Sequence, residues 1–218
     1  MKYLEELSLD EKIGQLFVFG FSDIEDAVDL IKKYKFGNII YFRRNLGTGQ
    51  NIVSMSKKIQ QTMLESIGIA AIIASDQEGG IINRFSCDAT FFPGAMAVTA
   101  AFNVQMAYDL GAAIAGELLC YGINMNLAPV LDINCNKMNP VIGVRSFSDD
   151  KVKVRNYALS MMHGMQDAGV MACCKHFPGH GDTNMDSHIS LPSIAHDENR
   201  LDNFELYPFK HAVLEDVA

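Results

Sequence analysis

Residues 175–188 read KHFPGHGDTNMDSH, so His176, His180, His188, Asp182, Asp186 and Lys175 share one short stretch with Pro178, Gly179 and Gly181. The proline and glycines rule out a regular helix or strand and give the backbone a shape that few other residues could adopt. Apolar runs flank the stretch on both sides, GVMACC before it and LPSI after it. Within it, Asp186-Ser187-His188 sets a carboxylate two residues from an imidazole. Such a carboxylate can orient the ring and stabilise its protonated form, giving a proton donor and acceptor poised near neutral pH. The same loop admits a metal reading, with zinc or iron held by His176, His180, Asp182, Asp186 and His188. HxxxH on a loop lacks the helical geometry that makes HExxH persuasive. A solvated loop histidine is the plain alternative to both.

Other polar groups invite the same question. Lys175 and His176 can both donate hydrogen bonds to substrate hydroxyls, or Lys175 can snorkel from a strand end while His176 packs in the loop. Asp76, in Asp76-Gln77-Glu78-Gly79-Gly80, can take two sugar hydroxyls bidentately or cap a turn. Arg84 and Arg145, in INRF and GVRSF, can pair with these carboxylates or reach a ligand.

The elements that must position these groups are legible as alternating patterns. Apolar, β-branched runs at Leu16–Gly20, Asn38–Phe42, Ala70–Ser75, Ile123–Val130 and Val170–Cys174 read as strands buried on both faces. Helical periodicity falls between them, at about 24–34, 52–66, 104–121 and 151–168, with a last helix near 203–215. Ser148-Asp149-Asp150 supplies a polar start, and Gly122 and Gly169 supply C-terminal caps. Strand and helix alternating five times predict a parallel α/β sheet, because each crossover needs a helix. No GxGxxG follows the first strand, and the polar clusters sit at the C-terminal ends of several strands. Both features favour a (β/α)8 TIM barrel over a doubly wound sheet. Only about the first five β/α units can be counted, and residues 1–218 are expected to be the N-terminal part of one barrel domain.

Composition narrows the function classes. The 218 residues are 49% hydrophobic and carry a net charge of -8 with no basic block. Nucleic acid is not an expected partner, since phosphate neutralisation needs clustered Lys and Arg. The N-terminus lacks a signal-peptide pattern and no apolar run reaches spanning length, so a soluble cytoplasmic protein with no membrane partner is expected. Cys87, Cys120, Cys135, Cys173 and Cys174 form no CxxC pair, and an odd number suits reduced thiols.

Together DQEGG (76–80), FPGAMA (92–97), GINMNLAPVLDIN (122–134), NPVIGVRSFSDD (139–150), the 175–188 stretch and LPSI (191–194) resemble the catalytic domain of glycoside hydrolase family 3. Within it they are most similar to the bacterial β-N-acetylglucosaminidases that recycle cell-wall fragments. The resemblance implies a retaining mechanism on a terminal β-linked N-acetylglucosamine, with His188 as general acid/base and Asp186 as its dyad partner. A histidine there departs from the paired carboxylates of most glycosidases. It also implies sugar binding by Asp76, Arg145, Lys175 and His176, with Arg84 beside them, and no metal or organic cofactor. The family's nucleophile is an aspartate near the end of the seventh barrel strand, beyond residue 218. Asp132 stands at a strand end, but not at the nucleophile's position.

The expectation is therefore an N-terminal fragment of a longer glycosidase, inactive alone and prone to self-association through its open sheet. A non-catalytic sugar-binding fragment and a metallohydrolase using the 176–188 cluster are the alternatives. A phosphorylase is a close variant, since a neutral histidine repels phosphate less than a carboxylate does.

Overall fold

The structure is a computed structural model that describes residues 1–85, 89–101, 103–185, 189 and 191–218. Its packing resolves into two compact units that alternate along the chain. The first comprises Met1–Asp76, Arg84–Thr90 and Glu117–Asn126; the second comprises Gln77–Asn83, Phe91–Gly116 and Leu127–Ala218.

The first unit holds strands β1 (Val18–Phe19), β2 (Asn38–Tyr41), β3 (Ile72–Ser75) and β4 (Met125–Asn126), all parallel and adjacent in chain order. Helices α1 (Leu9–Gly14), α2 (Ile24–Tyr34) and α3 (Gly49–Ser66) fall between and before them. Helix α2 has the bounds its periodicity predicts because Asp23 caps it, accepting from the backbone N–H groups of Glu25 and Asp26. Ile39, Ile73 and Ala74 of β2 and β3 are fully buried, as are Ile31, Ile59 and Met63 of the covering helices. Tyr41 lies in the same core with its hydroxyl 3.1 Å from Ser56 Oγ, and burial pushes its phenol up to about 12.

Strand β1 departs from the expectation of burial on both faces. It is the outer strand, paired to β2 alone among the described residues, and it leaves Val18 54% exposed, with Leu16 just before it 81% exposed. Helix α1 was not expected either. It is short, but its start is a capping box: Glu11 N–H donates to Ser8 Oγ and the Glu11 carboxylate accepts from Ser8 N–H.

The second unit carries α4 (Ala95–Ala101), the body of α5 (Val104–Cys120), α6 (Lys151–Asp167), β5 (Met171–Ala172) and α7 (Glu198–Arg200). A π-helical turn (Leu201–Glu205) and α8 (Tyr207–Leu214) follow. The last helix expected near 203–215 is thus split, with a wider turn before Pro208 at the start of α8. Asp150 caps α6 as its polar start predicts, accepting from Val152 and Lys153 N–H. Helices α5 and α6 approach so closely that a Cβ on Gly164 would lie 2.0 Å from Tyr108 O. Beyond the formal strands, Val130 bridges Lys175 in parallel, with Lys175 N–H donating to Pro129 O and Leu131 N–H to Lys175 O. This pairing sets Asp132 and His176 side by side. No helix among the described residues is long and apolar enough to cross a membrane.

Candidate active site

Three segments of the second unit converge on one buried carboxylate. Glu78 leaves a tight turn in which Gly79 and Gly80 take φ of 83° and 58°. A Cβ on Gly79 would lie 2.4 Å from Pro93 O, so the turn needs glycine on both counts. Arg145 ends the 3-10 turn Gly143–Arg145, which Asn139 shapes by accepting from Val141 and Ile142 N–H. Lys175 and His176 stand at the start of the 175–188 loop, where the Lys175–His176 and Phe177–Pro178 peptide bonds are cis.

The guanidinium of Arg145 grips Glu78 bidentately, Nε to Oε2 at 2.9 Å and Nη2 to Oε1 at 2.7 Å. Lys175 Nζ lies 2.7 Å from the same Oε1. Burial pushes the Glu78 carboxyl up, but the pull of Arg145 and Lys175 outweighs it and holds the group below the usual carboxylate range. Arg145 also donates through Nη1 to Val141 O and through Nη2 toward His176 Nε2, 3.1 Å away. These contacts hold the planar fork in one orientation.

Asp132 anchors the loop. Its Oδ2 is 2.6 Å from His176 Nδ1 and accepts from His176 N–H at 3.2 Å, while Oδ1 accepts from His180 N–H at 2.6 Å. Asn139 adds a second tie, donating through Nδ2 to the carbonyls of His180 and Gly181. Neither residue is assigned a role by its spacing, because these contacts join positions more than forty apart in the chain. Both fall within stretches that carry the family resemblance, and Asp132 also stands at a strand end.

The other expected residues are placed as follows. Asp76 and Arg84 belong to the first unit and pair there, Arg84 Nη2 to Asp76 Oδ2 at 3.4 Å. Both arginines therefore take the carboxylate-pairing option, Arg84 with Asp76 and Arg145 with Glu78. Asp186 and His188, the expected dyad, lie outside the described residues.

Of the groups offered as metal ligands, the described His176, His180 and Asp182 have other partners. His180 Nδ1 meets Thr183 Oγ1, and His196 Nε2 lies 2.8 Å from Asp182 Oδ2. Cys135, Asp182 and Glu205 do converge, with ligand atoms within 4.8 Å of one another. The cation among them is Arg200, which donates to Glu205 at 3.0 and 3.1 Å and lies 3.9 Å from Cys135 Sγ. Burial, then the charge of Asp182, pushes the Cys135 thiol up.

Known proteins resemble this chain in sequence and in fold. Residues 8–218 match the glycosyl hydrolase family 3 N terminal domain. Beta-hexosaminidase A of Pseudoalteromonas piscicida is 38% identical over 190 residues, which is 85% of this chain and 32% of that protein. The family 3 β-N-acetylglucosaminidase of Paenibacillus sp. str. FPU-7 superposes with a TM-score of 0.93 at 45% identity, covering 97% of this chain and 41% of that one. NagZ of Neisseria gonorrhoeae, solved with N-trifluoroacetyl-D-glucosamine, superposes at 0.82 with 30% identity, covering 92% and 61%. The chain thus spans less than two thirds of each of these relatives, and its parallel β/α units are a partial TIM-type barrel. Matching as it does from residue 8 to residue 218, over strands and polar strand ends alike, the chain belongs to glycosyl hydrolase family 3, in its N-terminal domain.

Proposed function

We propose that the chain carries sugar-holding and acid/base residues of a retaining β-N-acetylglucosaminidase acting on terminal β-linked N-acetylglucosamine. The observation that carries this reading is the buried Glu78, gripped by Arg145 and Lys175 with His176 attached, at strand ends of a family 3 domain. Arg145 and Lys175 hold the ring hydroxyls with His176 backing Arg145, and Asp76 and Arg84 count as sugar-binding residues by match to the family's pattern. Binding energy collected at these hydroxyls holds the anomeric carbon for attack. His188, partnered by Asp186, protonates the leaving oxygen and then deprotonates water. Cell-wall fragments as substrate, and the cytoplasm as location, belong to the same reading through the resemblance to recycling enzymes.

The family's nucleophile falls beyond the matched stretch, so the 218-residue chain alone is expected to bind the sugar and not turn it over. The experiment is release of an aryl aglycone from a β-N-acetylglucosaminide, with His188→Ala run alongside. No release by either protein is the expected result. Release that His188→Ala abolishes would mean a nucleophile lies within these residues or a partner copy.

Self-association is part of the proposal. Val18 is exposed on the outer strand of the first unit, and Leu16 and Phe17 are exposed just before it. In the second, Cys173, Phe177, Phe209, Val213 and Leu214 help line an apolar cavity of about 590 Å³. Apolar surface of this kind associates with its like. Light scattering is expected to give a mass above that of one chain, rising with concentration; a monodisperse monomer would contradict it.

A further inference from the structure

We propose that Asp132 is a positioning residue that locks His176 as the Nδ1–H tautomer, making the ring an acceptor that aims Arg145 rather than a hydrogen-bond donor to substrate. Guanidinium nitrogens only donate, so His176 Nε2, 3.1 Å from Arg145 Nη2, accepts and carries no proton. The ring proton then sits on Nδ1 and points at Asp132 Oδ2, 2.6 Å away. Asp132 accepts from His176 N–H, His176 Nδ1–H and His180 N–H, and its side chain is wholly buried. A buried carboxylate so surrounded is an acceptor at both oxygens. The line of contact runs from Asp132 through His176 to Arg145 and on to Glu78 and Lys175. Asp132 thereby orients the fork of Arg145 without itself being assigned any contact with a ligand.

The bearing on sugar binding rests on the function proposed above; the tautomer does not. The test is nitrogen-15 NMR of the histidine rings of the 218-residue chain, with His176 assigned by its loss in His176→Gln. The expected spectrum without sugar shows Nδ1 protonated and Nε2 bare. A protonated Nε2 would overturn the proposal. In Asp132→Asn the amide NH2 should take the Oδ2 side, because there it gives up only the 3.2 Å contact from His176 N–H and faces an imidazole that can reverse its role, whereas on the Oδ1 side it would give up the 2.6 Å bond from His180 N–H. The His176 tautomer then swaps, and affinity for N-acetylglucosamine falls by roughly tenfold or more as Arg145 loses its acceptor. A folded Asp132→Asn chain with an unchanged tautomer would overturn the assignment. Should that variant fail to fold, the wild-type spectrum alone decides. A wild-type chain showing the expected tautomer but no affinity for the sugar would sink the proposed function and leave the role of Asp132 toward His176 standing.

Discussion

Glu78→Ala is expected to destabilise the second unit by about 3–5 kcal/mol, because it strips the shared anion from two largely buried cations. Arg145 and Lys175 would then lose the anion they share in a site that excludes most water. Whole domains are stable by only ~5–15 kcal/mol, so the variant should unfold at a far lower urea concentration than the parent. Glu78→Gln keeps the shape and isolates the charge. Since Arg145 and Lys175 hold the folded carboxyl below its ordinary value despite burial, the group binds its proton more readily in the unfolded chain. Its contribution is therefore complete at neutral pH, begins to fade as pH drops toward the unfolded carboxyl value of ~4.3, and is lost through the lower folded value. The stability gap between parent and Glu78→Gln should narrow over that acid range. A gap below ~1 kcal/mol at pH 7, the size of a surface pair, would show that the cluster is solvated in solution.

Gly181→Ala is expected to displace the loop segment tied to Asp132 and Asn139. An added Cβ would stand 1.8 Å from Ile133 O and 2.7 Å from Ile133 C, both backbone atoms one residue from Asp132. No rotamer change relieves that overlap, so the 180–181 segment must move away and loosen its ties to Asn139 and Asp132. Overpacking of this kind costs about 1–3 kcal/mol. The sugar affinity should fall with it, because His176 shares the Asp132 anchor. Gly116→Ala provides the contrast: it sits exposed in helix α5 with nothing within 4 Å of an added Cβ. That substitution should stabilise by up to ~1 kcal/mol through helix propensity. Urea unfolding and isothermal titration on the pair check both signs, and equal stability of the two variants would refute the packing argument.

The sequence pattern carried the architecture well wherever periodicity and caps agreed. Helices α2 and α6 and strands β2 and β3 lie where apolar spacing predicts them, with Asp23 and Asp150 capping as their types suggest. Helices α1 and α4 escaped because six or seven residues are too few to establish a period. The burial of β1 was overestimated because an outer strand and an inner one can share the same apolar composition, and only pairing tells them apart. At the site, the residue types of Lys175, His176 and Arg145 marked them out; the parallel pairing of Val130 with Lys175 places the first two, and the 143–145 turn shaped by Asn139 places Arg145. What spacing could not give was direction. Glu78 stood in view within DQEGG without a role, since its partner Arg145 lies 67 residues away. The tautomer of His176 likewise depends on which groups face each ring nitrogen, and that is fixed by packing alone.

The central claim, that Arg145, Lys175 and His176 form a site for N-acetylglucosamine, is tested most directly by titrating that sugar into the isotopically labelled 218-residue chain. Saturable NMR shifts at these three residues, with affinity falling about tenfold or more in Arg145→Ala, are the predicted result. Absence of saturable shifts there, or an affinity untouched by Arg145→Ala, would contradict it.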